Sequence, residues 1–156
     1  MTPTEHELAP ALSGAERALA VRQFALSGRY AILTLESPTG GRFTYRCKPA
    51  SDGRTFVDLL TGPQNTTDYT PLGVVETDPP HGRYTHSWLG GIPEAAPAAR
   101  GARWFFAPLA ADLLVLARRL PGVRVYHAGN CGRCGRLLTT PESIDRGLGP
   151  ICAEQV

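Results

Sequence analysis

The placement of the cysteines constrains this chain more than any other feature. Only four of its 156 residues are cysteine, and three of those, Cys131, Cys134 and Cys152, fall within the last 26 positions, leaving Cys47 alone upstream. Cys131-Gly132-Arg133-Cys134-Gly135 is a C-x2-C pair followed by glycine. That spacing makes a tight knuckle in which both sulfurs point at one ion and the glycines let backbone amides turn toward the thiolates. Cys152 follows after seventeen residues, just past Gly149-Pro150. Proline suits the first turn of a helix, so Cys152 is expected near a helix N-terminus, where the dipole favours a thiolate.

Two other uses of these cysteines fit less well. The first residues, MTPTEHELAP, lack the basic flank and apolar stretch of a secretory signal. The expected compartment is therefore cytoplasmic and reducing, where disulfides are uncommon. A redox pair would place C-x-x-C at the start of a helix in a βαβ context, whereas here glycine follows the second cysteine and no such context precedes the first. A single structural zinc ion is the expectation. Structural zinc takes four ligands, so the trio needs a partner. His127 is the nearest, completing H-x3-C-x2-C-x17-C from the end of the strand-like run Val123 to Tyr126, and Cys47 is the competitor if its strand folds back over the knuckle.

The rest of the chain has a different pattern. With 42% apolar and 19% charged residues it reads as a globular chain of one domain, or one domain with a small appendage. Residues 1–12 show no periodicity and are expected as a loose tail. A helix is expected over 14–27, with Ser13 and Glu16 at capping-box spacing and Gly28 as a left-handed stop. The strand-rich runs at 30–35, 42–47, 55–60, 69–75 and 84–88 are joined by connections too short for parallel crossovers, which predicts an antiparallel meander. A second helix is expected over 98–120, with Pro108 kinking it or dividing it in two and Trp104-Phe105-Phe106 facing the core. The fold class is α+β: an antiparallel β-meander with two flanking helices over residues 13–122, and a zinc-knuckle module over 123–156.

Within that module, residues 137–147 read as one short helix capped by Thr140, started by Pro141 and ended by Gly147. The segment CGRCGRLLTTPESIDRGLGPICA resembles a small zinc-finger-like family of unknown function seen in bacterial and bacteriophage proteins. Its pattern runs cysteine knuckle, Leu-Thr, Pro-x-Ser, Gly-x-Gly-Pro, then cysteine. The stretch from Ile32 to Gly73, with its Ser-Pro-Thr-Gly turn and Leu-Leu-Thr-Gly-Pro, is similar to uncharacterised proteins of phages and plasmids that end in this module. The resemblance implies zinc on Cys131, Cys134 and Cys152 and brings no activity with it.

Enzyme chemistry is not expected. Walker A, G-x-G-x-x-G, a serine nucleophile elbow and the H-x-E with P-C-x-x-C of nucleobase deaminases are all absent from the sequence. Glu142 is the obvious carboxylate near the cysteines, but its place in a first helical turn is explained by the helix dipole. Zinc on three thiolates would lower the formal charge from +2 to +1, so contact with DNA or RNA would rest on a local face. Arg133, Arg136 and Arg146, extended by Arg42 and Arg46, are the candidates. The alternative is a zinc-stabilised adaptor or inhibitor that binds another protein, a host factor for example, through an aromatic patch including Trp88. No run approaches the ~20 apolar residues of a membrane span. His6 falls in the expected tail, and His81 and His86 are expected at the surface.

Overall fold

The computed structural model describes residues 5–28, 31–64, 67–77 and 82–156. Seven antiparallel strands form one sheet: β1 (His6–Glu7), β2 (Ala31–Glu36), β3 (Arg42–Pro49), β4 (Thr55–Leu60), β5 (Tyr69–Glu76), β6 (Arg83–His86) and β7 (Arg124–His127). Their spatial order is β1-β7-β2-β3-β4-β5-β6. The five strands β2 to β6 are the expected meander. Register follows the alternation of side chains, because a slip of one residue would turn every apolar side chain outward. Leu33 lies opposite Tyr45 and Cys47 opposite Val57 on the buried face, while Ile32 lies opposite Arg46 and Arg46 opposite Asp58 on the other. A register shift between Val57 and Asp58 accommodates β5.

Three helices cover the buried face: α1 (Gly14–Ala25), α2 (Pro97–Ala111) and α3 (Leu113–Arg119). Phe24 of α1, Phe105, Phe106 and Leu109 of α2 and Leu116 of α3 are fully or almost fully buried there with Leu33 and Tyr45. The Tyr45 hydroxyl donates to the Ala98 carbonyl at 2.7 Å, fixing α2 across the sheet. The expected second helix is divided, but at Asp112 and not at Pro108. Proline has no N–H to offer the Trp104 carbonyl one turn back. Arg119 of α3 reaches over and donates to that carbonyl at 2.6 Å, so Pro108 is tolerated inside α2. Asp112 then ends α2 and caps α3, its side chain accepting from the amides of Leu114 and Val115.

Other expectations are corrected. The capping box at α1 does not form, since Ser13 makes no side-chain cap hydrogen bond, and the helix closes at Leu26, two residues before Gly28. Residues 5–12 are not a loose tail. His6–Glu7 pair with β7, Leu8 and Ala9 are buried, and the Leu8 amide donates to the Val125 carbonyl at 2.7 Å. Residues 124–127, assigned from sequence to the zinc module, lie inside the sheet between β1 and β2. The apolar alternation that made them strand-like is satisfied by the body of the protein. No helix among the described residues is long and apolar enough to cross a membrane.

Candidate metal centre

Beyond β7 the chain leaves the sheet and builds the knuckle from its own backbone. The Cys131 amide donates to the Arg136 carbonyl and the Gly135 amide to the Cys131 carbonyl, both at 2.8 Å, while Asn130 bridges to Leu137. The chain next forms α4 (Pro141–Arg146), capped by the Thr140 hydroxyl and stopped by Gly147 in the left-handed conformation, and then α5 (Pro150–Glu154). Proline opens both helices, as the sequence predicts. Cys152 sits in the first turn of α5, and the Gly149 amide just ahead of it donates to the Cys131 sulfur at 3.3 Å.

These turns bring the sulfurs of Cys131, Cys134 and Cys152 within 4.8 Å of one another. A tetrahedral ion with metal–sulfur bonds of ~2.3 Å holds its sulfurs about 3.8 Å apart, so a small closure of the cluster fits one ion. The donor set suits a thiophilic metal. The three thiols are not equivalent. Burial opposes ionisation of Cys131, but the amides of Gly149, Cys134 and Arg133 aim at its sulfur and bring its pKa down to about 7. Cys152 is shifted up by desolvation and by sharing protons with the other two cysteines. The site therefore has an inner thiol prepared as a thiolate and outer thiols facing solvent, Cys134 among them.

His127 is not part of this cluster. Its ring is buried, with Nε2 2.6 Å from the Ile144 carbonyl and Nδ1 accepting from the Gly129 amide at 3.1 Å. Both nitrogens are committed, which fixes the neutral tautomer with hydrogen on Nε2. Burial lowers its pKa further, opposed by the bond to Ile144. The side chain expected to hold the ion instead ties α4 to the sheet. A signal was present in the sequence: Val125 and His127 alternate with Arg124 and Tyr126, placing the histidine on the apolar face of its strand. Cys47 is no substitute. It is fully buried on β3 opposite Ala31 and Val57, and desolvation pushes its thiol up to about 12. Among the described residues no other His, Cys, Asp or Glu joins the three sulfurs.

The module leans on α1. Gly147 has φ of 71°, and a Cβ there would lie 2.4 Å from the Phe24 ring, so the helix stop and the docking surface depend on the same glycine. Gly28, expected as a helix stop, serves close approach: its Cβ would lie 2.8 Å from the Arg133 Cα. From the other side, the Ala9 amide donates to the Asp145 carbonyl at 2.7 Å.

The module arginines expected to share one face border different grooves. Arg136 borders a cavity of about 440 Å³ beside Cys134 and Cys152, Arg133 faces a groove between α1 and the C-terminal residues, and Arg146 lines a third groove with Ala9 and Leu12. Arg42 is paired with Glu36 and Arg46 with Asp58. Glu142 is in the first turn of α4, on the side of Arg146's groove. Trp88 is 65% exposed on the loop after β6, and beside it His86, expected at the surface, is buried with Nε2 2.7 Å from the Ile92 carbonyl. His81 lies outside the described residues.

Residues 125–156 match a family described as a family of unknown function (DUF6011). The match begins within β7 and spans the whole metal centre, so it covers the cysteines together with the histidine that braces them. No curated protein and no solved structure matches the chain.

Proposed function

We propose that this is a non-enzymatic zinc-binding adaptor, in which zinc on Cys131, Cys134 and Cys152 fixes a small module that contacts another protein. The observation that supports the metal is the convergence of three sulfurs in a segment that buries little else. Its own cluster of buried residues is Cys131, Leu138, Leu148 and Ala153, with Ile144 and Cys152 at the margin. Structural zinc substitutes for a core of that size, and thiolates with imidazole or further thiolates are its usual ligands.

A protein partner is favoured by what the module presents. Leu137 is 72% and Ile151 69% exposed, both on the rim of the cavity that contains Cys134 and Cys152. Large apolar side chains held at the edge of a pocket are more useful to a protein contact than to a phosphate backbone. Nucleic acid draws less support from the same arrangement, because the three module arginines face three grooves and the hairpin arginines already have carboxylate partners. The likeness to phage and plasmid proteins is compatible with a host protein as the target.

Two measurements test this reading. Elemental analysis of purified protein is expected to give one zinc per chain, and metal-free protein with an intact module would overturn it. Binding to single- and double-stranded DNA and RNA is then measured across a salt series, with Arg133 and Arg136 both changed to alanine for comparison. No arginine-dependent binding is expected. A salt slope that flattens in the double variant while metal content stays unchanged would replace the adaptor with a nucleic-acid reading.

A further inference from the structure

We infer that the fourth ligand of the metal is an external thiolate, supplied by a cysteine of a polypeptide partner that enters the cavity between the knuckle and α5. The inference rests on the zinc reading above and adds the chemistry of the partner. Three observations converge on it. The described residues bring together three sulfurs with no fourth His, Cys, Asp or Glu. The nearest alternative, His127, is held away by hydrogen bonds at both ring nitrogens. The two outer cysteines, Cys134 and Cys152, line a cavity of about 440 Å³, whereas Cys131 is buried on the inner side. A tetrahedral ion held by these three sulfurs would keep one further bond, which a ligand entering that cavity is placed to fill.

The lining says what would fill that bond. Besides the two cysteines, its one ionisable side chain is Arg136, so the cavity contains no carboxylate or imidazole to deprotonate a metal-bound water. Hydrolytic zinc chemistry needs such a base nearby. The complex of zinc with three thiolates carries one negative charge, and a fourth anionic ligand adds another. Arg136 is placed at the cavity to offset it. A soft anionic donor therefore fits both the sulfur-rich set and the cation. The exposed Leu137 and Ile151 on the rim would cover apolar residues beside the incoming cysteine, which a small thiol lacks. In the step itself the partner's S–H bond breaks, its proton goes to solvent, and the sulfur lone pair forms the metal bond. No oxidant is involved.

The test uses the full chain loaded with cobalt(II), whose visible absorption reports thiolate ligation, and the zinc form for X-ray absorption. A short peptide with one cysteine between leucines is titrated in, alongside the same peptide with serine and alongside N-acetylcysteine. The cysteine peptide is expected to strengthen the sulfur-to-cobalt charge-transfer band and to raise the zinc-bound sulfur count by one, while the serine peptide changes neither. Leu137→Ser with Ile151→Ser is expected to weaken the peptide about tenfold or more without changing metal content or N-acetylcysteine affinity, since both side chains are exposed and outside the fold's core. Equal affinity for N-acetylcysteine and the peptide would overturn the polypeptide source. A spectrum indifferent to every thiol would overturn the external ligand while leaving the zinc site in place. A chain that takes up neither cobalt nor zinc would overturn the zinc reading itself.

Discussion

The sheet-and-helix body and the cysteine module reach a fixed structure by different means. The body buries large side chains, among them Tyr45, Phe24, Phe105, Phe106 and Leu109, against a seven-stranded sheet. The module buries four small or medium residues and relies on knuckle hydrogen bonds, two short capped helices and three converging thiols. Apolar burial in the body is distributed over many contacts, so losing one leaves the rest. A metal on these thiols would concentrate stabilisation in one ion, and losing it would remove most of the support at once.

The largest expected effect follows directly. Stripping the metal with a chelator, or changing Cys134 to serine, should raise hydrogen exchange from about Gly129 to the C-terminus by orders of magnitude. The amides of β2 to β5 should keep their protection. Structural zinc accounts for ~10–16 kcal/mol of apparent free energy in small modules, far more than this apolar cluster supplies. Loss of protection across β2 to β5 on metal removal would show that the two regions form one cooperative unit.

Phe24 is the place where that division is weakest. It is 1% exposed, belongs to the body's core, and also packs where Gly147 ends α4. Phe24→Ala should cost about 3–5 kcal/mol of global stability and also loosen the module, read as raised exchange at the Gly147 amide in metal-loaded protein. If exchange in the module is unchanged, the metal alone holds it and docking contributes nothing. Gly147→Ala probes the same contact from the other side, with a clash at the ring added to an unfavourable left-handed backbone.

Much of this was legible in the sequence because the signals were local. Alternation fixed the meander strands, Thr140, Pro141 and Gly147 marked α4, and Gly149-Pro150 placed Cys152 in a first helical turn. What was missed depended on pairing across the chain. Two residues at His6–Glu7 are too few to show a period, and they become a strand only because β7 offers them an edge. Pro108 announces a break, yet a guanidinium fifteen positions away from Trp104 satisfies the orphaned carbonyl and moves the break to Asp112. His127 has metal-ligand spacing, but spacing cannot tell that Ile144 and Gly129 will claim its ring.

His127 and Cys47 sharpen the comparison because both sit in the body's core although each has the chemistry of a ligand. His127→Ala should leave the metal stoichiometry unchanged while costing ~2–3 kcal/mol, from lost packing and an unpaired buried amide at Gly129. Cys47→Ala should also keep the metal and cost about 1 kcal/mol, as expected for a small buried side chain. Denaturant melts combined with elemental analysis separate the two effects. A drop in bound metal for the histidine variant, with the fold retained, would return His127 to the site.

The smallest effect concerns the order in which the thiols ionise in metal-free protein. Cys131 is drawn from an ordinary value of 9.0 down to about 7 against its burial by the Gly149, Cys134 and Arg133 amides, while Cys152 is shifted upward. A depressed folded-state pKa means that the Cys131 contribution is fully present above pH 9 and is lost as pH falls through about 7. The raised Cys152 has the opposite sign, contributing below its ordinary value and losing that contribution as pH climbs. The metal-free module should therefore be tightest near pH 9, loosening as pH falls toward 7 and again as it climbs well past 9, with any zinc affinity declining steeply below 7 as Cys131 takes up its proton. The check is the Cβ carbon chemical shift of each cysteine followed against pH by NMR, with the Cys131 thiolate half-formed near pH 7 and the Cys152 thiolate only at higher pH. A common midpoint near 9 for both would show that the inward amides do not prepare Cys131, and that the metal meets three equivalent thiols.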